Sequence, residues 1–497
     1  MNAVSTNSPS FPEHAIIYEI NTLVWLNELS LKYGKKIKLA NIPGKEWDDM
    51  ANLGFTAVWL MGVWERSPAG LFIARLNTGI MKDLREALPD LHDDDISGSP
   101  YCIRDYKADR HIGGAKGLAK ARQELANRGL KLILDFVPNH VAPDHPWIKS
   151  HPEFFITGTD MEMIKYPDDF YRAGENIFAK ARDPFYPPWP DVLQLNVFDE
   201  GLRKAMLETL KTIASQCDGI RCDMAMLLMN DIFSKTWPGK AGPKPEQDFW
   251  ASVIPEVKQQ FPGFVFIAES YWDTEPALLN QGFDFCYDKR YYDYLQVSTE
   301  KSKHHLLEMM TINEKLLRFL ENHDEPRAAG LFSANRHKAL ALASLTQPGA
   351  RLLHDGQLEG RTVKVPVFLC RRQNEPENQD LKEFYGKLLK ILRSDPIQNG
   401  KWSACAVSGW YDNQTCLNLL AWEWLGDQEN LLIVVNLSDQ TAQALVESSY
   451  PYLTGRTYQL FDVISGELFY RDGENLNYPE LFIGLQAWGA HTFLIEY

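Results

Sequence analysis

No stretch of this chain approaches the roughly 18 consecutive apolar residues that a membrane-spanning helix needs, so no membrane partner is expected. Met1 to His14 is polar, with Ser and Pro, and lacks the apolar core of a secretory leader. A start at Met also speaks against a trimmed leader. Positive charge is in deficit: 51 Lys and Arg stand against 66 Asp and Glu, a net charge of −15. That balance argues against a nucleic-acid partner and against an anionic membrane surface. The seven cysteines are odd in number and form no CxxC pair or Cys/His zinc spacing. Reduced thiols fit a cytoplasmic location, and Cys217 and Cys222 read as buried packing residues. No glycine-rich phosphate turn follows the first apolar run, and there is no internal repeat or low-complexity segment.

What is present is an ordinary globular composition, 45% hydrophobic and 24% charged, rich in aromatics at 12% with 14 Trp. The length allows two or three domains, or one barrel absorbing most of the chain. Short apolar runs read as strands at Ala15 to Ile20, Phe55 to Met61, Leu130 to Val137, Gly219 to Asp223, Phe264 to Ala268, Phe283 to Tyr287, Leu316 to Leu320 and Ala350 to Leu353. Helices are expected at Trp47 to Leu53, stopped by Gly54, near Leu71 to Leu88, and at Ala115 to Arg128, ended by Gly129. Two more have clear stripes. Gly201 to Ser215 places Leu202, Ala205, Met206, Leu210 and Ile213 on one face, and Gln379 to Arg393 does the same with Leu381, Phe384, Tyr385, Leu388, Leu389 and Leu392.

About eight strand–helix units with continuous apolar strands predict an α/β fold, a parallel (β/α)8 TIM barrel, against the alternative of a doubly wound open sheet. Val141 to about Leu193 lacks periodicity and is rich in Pro, Asp and aromatics. It is too long for a plain loop and is expected to form a small subdomain inserted after strand 3. After Asp395-Pro396 the pattern turns to short strands: Cys416 to Trp424, Asn430 to Leu437, Thr457 to Val463, Glu467 to Tyr470 and Phe493 to Tyr497, with no helical spacing between them. This predicts a small C-terminal antiparallel β-sandwich domain packed behind the barrel. The expected division is 1–140 and 196–394 for the barrel, 141–195 for the insert and 395–497 for the β domain.

The chemistry gathers around Gly219-Ile220-Arg221-Cys222-Asp223. Side chains alternate along a strand, so Arg221 and Asp223 point the same way, and the guanidinium favours the ionised carboxylate. Such an Asp suits a nucleophile; taken alone, it is equally well a buried ion pair that only holds a barrel together. Other strand ends shift the balance. In a barrel the C-terminal strand ends meet in one mouth, and polar residues stand there at Asp135 to His140, Arg221 and Asp223, Glu269, and His323-Asp324. Asp223, Glu269 and Asp324 would converge. Crowded carboxylates repel, raise at least one pKa and suit general acid/base work. Two carboxylates flanking a glycosidic bond perform glycoside hydrolysis. Clustered Asp, Glu and His also suit a divalent cation, and spacing alone does not separate the two. Asp135 and Asn139 read as buttresses of a strand end. His304 and His305 fall in a charged, solvated stretch and carry no function, and Asp93 to Asp95 reads as a surface turn. His354 and Asp355 stand at the eighth strand end. Trp64 and Trp189 read as sugar platforms or as packing.

Four motifs stand in order at these strand ends: Asp135-Phe136-Val137-Pro138-Asn139-His140, Gly219-Ile220-Arg221-Cys222-Asp223, Phe266-Ile267-Ala268-Glu269-Ser270 and Phe319-Leu320-Glu321-Asn322-His323-Asp324. With a weaker fifth, Asp191-Val192-Leu193-Gln194-Leu195-Asn196, they resemble the α-amylase family of glycoside hydrolases over roughly Ala15 to Arg393, and the β domain beyond also fits. The resemblance implies a retaining enzyme that cleaves α-1,4-glucosidic bonds in α-glucans or malto-oligosaccharides through a covalent glycosyl-enzyme intermediate. It implies Asp223 as nucleophile, kept ionised by Arg221, and Glu269 as general acid and then base. Asp324 would be the third carboxylate, holding sugar hydroxyls and favouring ring distortion. His140 and His323 would hydrogen-bond the sugar at the cleavage point, Tyr101 would stack on it, and Arg327 would reach the next sugar inward. Double displacement needs the two reacting carboxyls roughly 5–5.5 Å apart.

The chain departs from the family at Met226-Leu227. Many amylases carry Lys-His there, the Lys serving a leaving-group subsite and the His carbonyl helping to bind calcium. Asn139 matches another calcium ligand, but one ligand does not make a cage of roughly six to eight oxygens. A structural calcium is therefore doubtful, no obligatory cofactor is expected, and no metal ligand is assigned. The departure also favours a second reading: a glucan transferase, a sugar phosphorylase or another α-glucosyl-transferring enzyme, in which a sugar or phosphate replaces water. A non-catalytic carbohydrate-binding or transport-associated relative would lack one or more of the three carboxylates, and all three are here. Oligomeric state is left open.

Overall fold

A computed structural model describes residues 11–450, 452–476 and 481–496. The first ten residues of the polar N-terminal stretch and Tyr497 of the last expected strand lie outside them. Eight parallel strands close a barrel in sequential order: β1 (Ile16–Asn21), β2 (Ala57–Met61), β3 (Lys131–Phe136), β4 (Gly219–Cys222), β5 (Val265–Ala268), β6 (Phe285–Tyr287), β7 (Leu316–Phe319) and β8 (Ala350–His354). Closure is direct, since Ile17 of β1 pairs with Ala57 of β2 on one side and Leu352 of β8 on the other.

The strands are apolar without a break because both faces are buried, one against helices and one inside the barrel. Ile17, Trp59, Ile133, Ile267, Leu317 and Leu352 fill the interior as one cluster. The period of two then carries each inward face up to the mouth, where it turns polar. Ile17 leads to Glu19, Ile133 to Asp135, Gly219 to Arg221 and Asp223, and Ile267 to Glu269. A single alternation thus builds the dry core below and the charged site above.

The helices follow from capping and striping. Asp199 caps Glu200–Ala214, which buries Leu202, Met206, Leu210 and Ile213. Asn378 caps Gln379–Leu392, which buries the whole predicted stripe. Each such side chain stabilises the fold by roughly 1.5–3 kcal/mol, and an acid at Leu388 would break that face. Gly54 ends Gly44–Leu53 in the left-handed conformation, φ 90°, that glycine adopts without strain.

Three connections shape the mouth. After β2, Trp64–Arg66 pairs antiparallel with Ile103–Ala108, and two helices, Pro68–Leu76 and Thr78–Ala87, lie between them. After β3, His140–Val141 pairs with Leu193–Gln194 and frames a hairpin of Phe170–Ala173 and Asn176–Ala179. After β8, residues 355–378 lack helix or strand and run back to the β2 connection. Leu369 bridges Ile96, and Arg371 ion-pairs Asp90 and Asp95. The acidic run is therefore part of an interloop latch, with Asp95 buried, rather than a plain surface turn.

The C-terminal region forms a six-stranded and a three-stranded antiparallel sheet around their own core. Four strands here escape the sequence reading: Lys401–Ala404, Ala406–Ser408, Ala442–Glu447 and Leu481–Leu485. Two short helices, Asp395–Asn399 and Gly473–Leu476, also occur. The buried Trp424 side chain donates to the carbonyl of Thr346 (2.9 Å), tying this region to the barrel.

Candidate active site

Arg221 stands at the centre of the mouth, 1% exposed. Its Nη1 donates to Asp223 Oδ1 (2.9 Å) and its Nη2 reaches Glu269 Oε2 (2.7 Å). Asp324 Oδ2 lies 3.9 Å away and Asp135 Oδ1 4.0 Å. One buried cation therefore faces carboxylates from four different strand ends. The rings of Trp59, Tyr101 and Tyr287 surround it at 5.3–5.8 Å, where their faces attract a cation.

Each acid has its own environment. Burial pushes Asp223 up to about 7; Arg221 opposes this, while Glu269, Asp324 and Asp135 add to it. The guanidinium is shared among several acids, and it pulls Asp223 toward the ionised form against its burial. Glu269 is 2% exposed and accepts from the Met224 N–H (2.6 Å) and the Tyr271 hydroxyl (2.7 Å) as well. Met224 takes φ 43°, unusual for a side chain of its size. Such strain costs roughly 1–3 kcal/mol and clusters at functional sites. Asp324 is the exposed member, with its side chain 44% accessible. Desolvation would raise it, but His323 and Arg221 hold it well below the usual range.

His323 is buried and heavily partnered. Its Nδ1 lies 2.5 Å from Glu19 Oε1, and its Nε2 lies 2.6 Å from the Tyr101 hydroxyl and 3.0 Å from Asp324 Oδ2. Burial would lower its pKa; the charges of Asp324 and Glu19 overrule this and push it up to about 10. Tyr101 stacks on the His323 ring at 5.4 Å. His140 is pushed down to about 3 by burial and packs against Trp189 at 5.3 Å. Asp135 accepts from the Trp59 ring nitrogen and the Gly62 N–H (both 3.1 Å), a buttress as read. Trp64 is core, donating to the Asp135 carbonyl.

Two expectations fail. Arg327 does not face the mouth: it is 2% exposed, and its Nη1 binds Glu321 (2.6 Å) and His354 (3.0 Å) while its Nη2 donates to the Asp355 carbonyl (2.8 Å). A buried Glu321 draws it inward, since an unpaired buried carboxylate is costly. His305 is not solvated either. It lies 3% exposed on the inner face of Thr299–Glu308, 2.7 Å from Asp288. His354 and Asp355 are buried in the same network as Arg327, with Asp355 paired to Arg372 (3.0 Å). The sequence reading missed Glu19, Tyr271 and Glu321; a charged residue inside an apolar strand was the available signal for Glu19.

Cavities adjoin both ends of the carboxylate row. One of about 490 Å³, beside the Glu269 side, is lined by Met224, Tyr271, Trp272 and Tyr186. Another of about 470 Å³, beside Asp324, is lined by His323, Lys364, Leu84 and Phe368. Among the described residues, no group of three or more His, Cys, Asp or Glu side chains is arranged to hold a metal ion. The cation amid these acids is Arg221. The place that the family resemblance implies for calcium is also filled from within. Gln194 Nε2 donates to Asn139 Oδ1 (2.9 Å), the Asn139 carbonyl (3.0 Å) and the Leu195 carbonyl (3.0 Å). Met226 and Leu227 are buried. These oxygens already have a donor, so the residues do not fit a calcium ion.

The alpha amylase catalytic-domain model matches residues 45–422. The chain belongs to the α-amylase family. Among its relatives, alpha-amylase MalA of Haloarcula japonica is 24% identical over 366 residues, which is 71% of this chain and 45% of that protein. An alpha-1,4-glucan:maltose-1-phosphate maltosyltransferase of Pseudomonas aeruginosa is 23% identical over 189 residues, 37% of this chain and 24% of that one. The chain thus spans less than half the length of either. The solved noncanonic maltogenic alpha-amylase AmyB of Thermotoga neapolitana superposes with a TM-score of 0.69 at 19% identity, covering 98% of this chain and 99% of its own. That likeness is one of fold. Among the described residues no helix is long and apolar enough to cross a membrane.

Proposed function

We propose that this α-amylase family member is a retaining glycosidase acting on α-1,4-glucosidic bonds of α-glucans or malto-oligosaccharides. One observation carries the reading: a single buried guanidinium bonds Asp223 and Glu269 together, with Asp324 at its edge. Sharing one guanidinium sets the two carboxyls close together, as double displacement requires, with its reacting pair roughly 5–5.5 Å apart. In the first step the Asp223 carboxylate bonds to the anomeric carbon. The bond to the leaving oxygen breaks, and that oxygen takes a proton from Glu269. In the second, Glu269 takes a proton from water as the water oxygen displaces Asp223, restoring the starting configuration. Glu269 Oε1, held by Tyr271, is the oxygen free of Arg221 and so the one placed to carry that proton. His140, His323 and Tyr101 line the same mouth, and Asp324 is exposed enough to meet sugar hydroxyls. The adjoining cavities give room for sugars on both sides of the cleaved bond.

This reading includes no obligatory calcium; the Gln194 amide, which donates to the Asn139 carbonyl and Oδ1, supports it. A second reading, glucosyl transfer to a sugar or phosphate, is favoured by Met226 and Leu227. Both are apolar and buried, so the position that carries a leaving-group lysine in many amylases holds no charge. The test is product analysis on maltose, malto-oligosaccharides, starch, sucrose and trehalose, with and without phosphate or an acceptor sugar. Hydrolysis in water that phosphate leaves unchanged supports the first reading; a sugar phosphate or a lengthened oligosaccharide supports the second. Asp223→Asn abolishes turnover on whichever substrate works, and a near wild-type rate would refute the mechanism.

A further inference from the structure

Glu19 is an acid in the middle of an apolar strand, Ile16-Ile17-Tyr18-Glu19-Ile20, and it is fully buried. It pairs in register with Trp59 of β2 and His354 of β8, which places it at the seam where the barrel closes. A lone buried carboxylate there costs several kcal/mol, so it needs a cation or a set of donors. It has one strong contact, Oε1 to His323 Nδ1 at 2.5 Å, while Oε2 has no partner among the described residues. Arg221, in the same mouth, is committed to Asp223 and Glu269.

The far side of the ring decides its protonation on geometry. His323 Nε2 has two oxygens close to it, the Tyr101 hydroxyl at 2.6 Å and Asp324 Oδ2 at 3.0 Å. An ionised carboxylate only accepts, so an Nε2 lone pair aimed at Asp324 would be repelled. Nδ1 faces another carboxylate. Both nitrogens therefore carry hydrogen, and the ring is an imidazolium between two acids. We propose that Glu19 is the positioning residue of this site: by accepting the hydrogen bond from Nδ1–H it fixes the His323 ring and keeps Nε2 a cationic donor toward Asp324 and the sugar that Asp324 meets. The second half of that statement rests on the glycosidase reading; the first does not.

The surroundings bear this out element by element. Asp324 adjoins the ring, Asp135 of β3 and Tyr287 of β6 face the same pocket, and Arg221 of β4 supplies the opposing positive field, while His354 of β8 is held neutral by burial and by the charges of Arg327, His323, Arg372 and Lys364. Lys364, which lines the cavity beside Asp324, adds to that field from outside. With this much positive charge nearby, the imidazolium persists only while both flanking acids stay ionised. Its raised value, about 10, agrees. The sign follows: the charge is present throughout neutral pH and is lost as pH rises through about 10.

The test is the ring itself. In ¹⁵N-histidine-labelled protein, with the His323 signals assigned by loss in His323→Gln, both ring nitrogens stay protonated from pH 6 to pH 8. Glu19→Gln keeps the shape and an acceptor but removes the charge, so the midpoint of His323 falls by at least about one unit, the smallest effect of losing an opposite charge at this range. Glu19→Asp restores most of it. In the same variants the alkaline limb of kcat/KM on a malto-oligosaccharide moves down with the His323 midpoint, more in Gln than in Asp. A neutral His323 in the wild type at pH 7, readable even if no Glu19 variant folds, overturns the proposal. So does a midpoint unmoved in Glu19→Gln. If His323 titrates as described but no α-glucoside is turned over, the positioning role stands and the glycosidase reading falls.

Discussion

Replacing Arg221 by methionine isolates the electrostatic design of the mouth, because methionine keeps much of the volume and removes the charge. Arg221 is 1% exposed and lies within 4.0 Å of four carboxylates. Breaking a buried ion pair by removing one partner costs roughly 3–5 kcal/mol, since the remaining charge has nowhere to go. Here the stranded acids have an escape: they can take protons. Asp223 already stands at about 7 and Asp135 at about 6, both raised first by burial and both pulled down by Arg221. Without Arg221 both rise further. A carboxylate with a raised folded pKa gives stability that is complete below its unfolded value near 4 and lost as pH climbs through the folded one. The variant therefore loses most above pH 7 and least near pH 5. Urea unfolding followed by tryptophan fluorescence measures the gap, expected at roughly 3–5 kcal/mol at pH 8 and clearly smaller at pH 5. A gap below about 1 kcal/mol at pH 8, the scale of an exposed pair, or one that widens on acidification, would refute the reasoning.

Two further expectations concern proton and metal linkage. The first step needs Asp223 ionised and Glu269 protonated, so the acid limb of kcat/KM lies above the usual carboxylate range, as the raised Asp223 value requires; initial rates from pH 4 to pH 9 check this, and an acid limb at an ordinary carboxylate value speaks against the account of Asp223. Gln194→Asp turns a carboxylate toward the Asn139 and Leu195 oxygens that now share the amide. That variant loses about 1–3 kcal/mol of stability and regains part of it with calcium, while thermal melting of the wild type is the same with or without a chelator.

The fold was largely legible because a barrel strand is apolar on both faces and its polar residues collect at one end. Eight apolar runs and four polar strand ends therefore sufficed for the barrel and for the acids at its mouth. What escaped the sequence depended on partners far along the chain. Arg327 follows Asp324 closely, yet Glu321 and the β8 end pull it inward. His305 sits among charged residues in sequence but on a buried helical face in space. Ala442–Glu447 alternates faithfully, but with small residues inward, and so gave no apolar run. The stretch 355–378 has no period of its own; its order comes from Arg371 and Arg372 binding acids hundreds of residues away. Glu19 was passed over because one acid in a strand reads as an interruption until its neighbour across the barrel is known.

In the proposed mechanism Asp223 forms a covalent bond to the sugar while Glu269 handles the proton. Incubating Glu269→Gln with an α-glucosyl fluoride, whose leaving group needs no acid, lets the first step proceed and slows the second. Proteolysis and mass spectrometry should then find one hexosyl unit on the peptide that contains Asp223. Fluoride release with the sugar attached elsewhere, or with no adduct and a product of inverted configuration, would contradict the account.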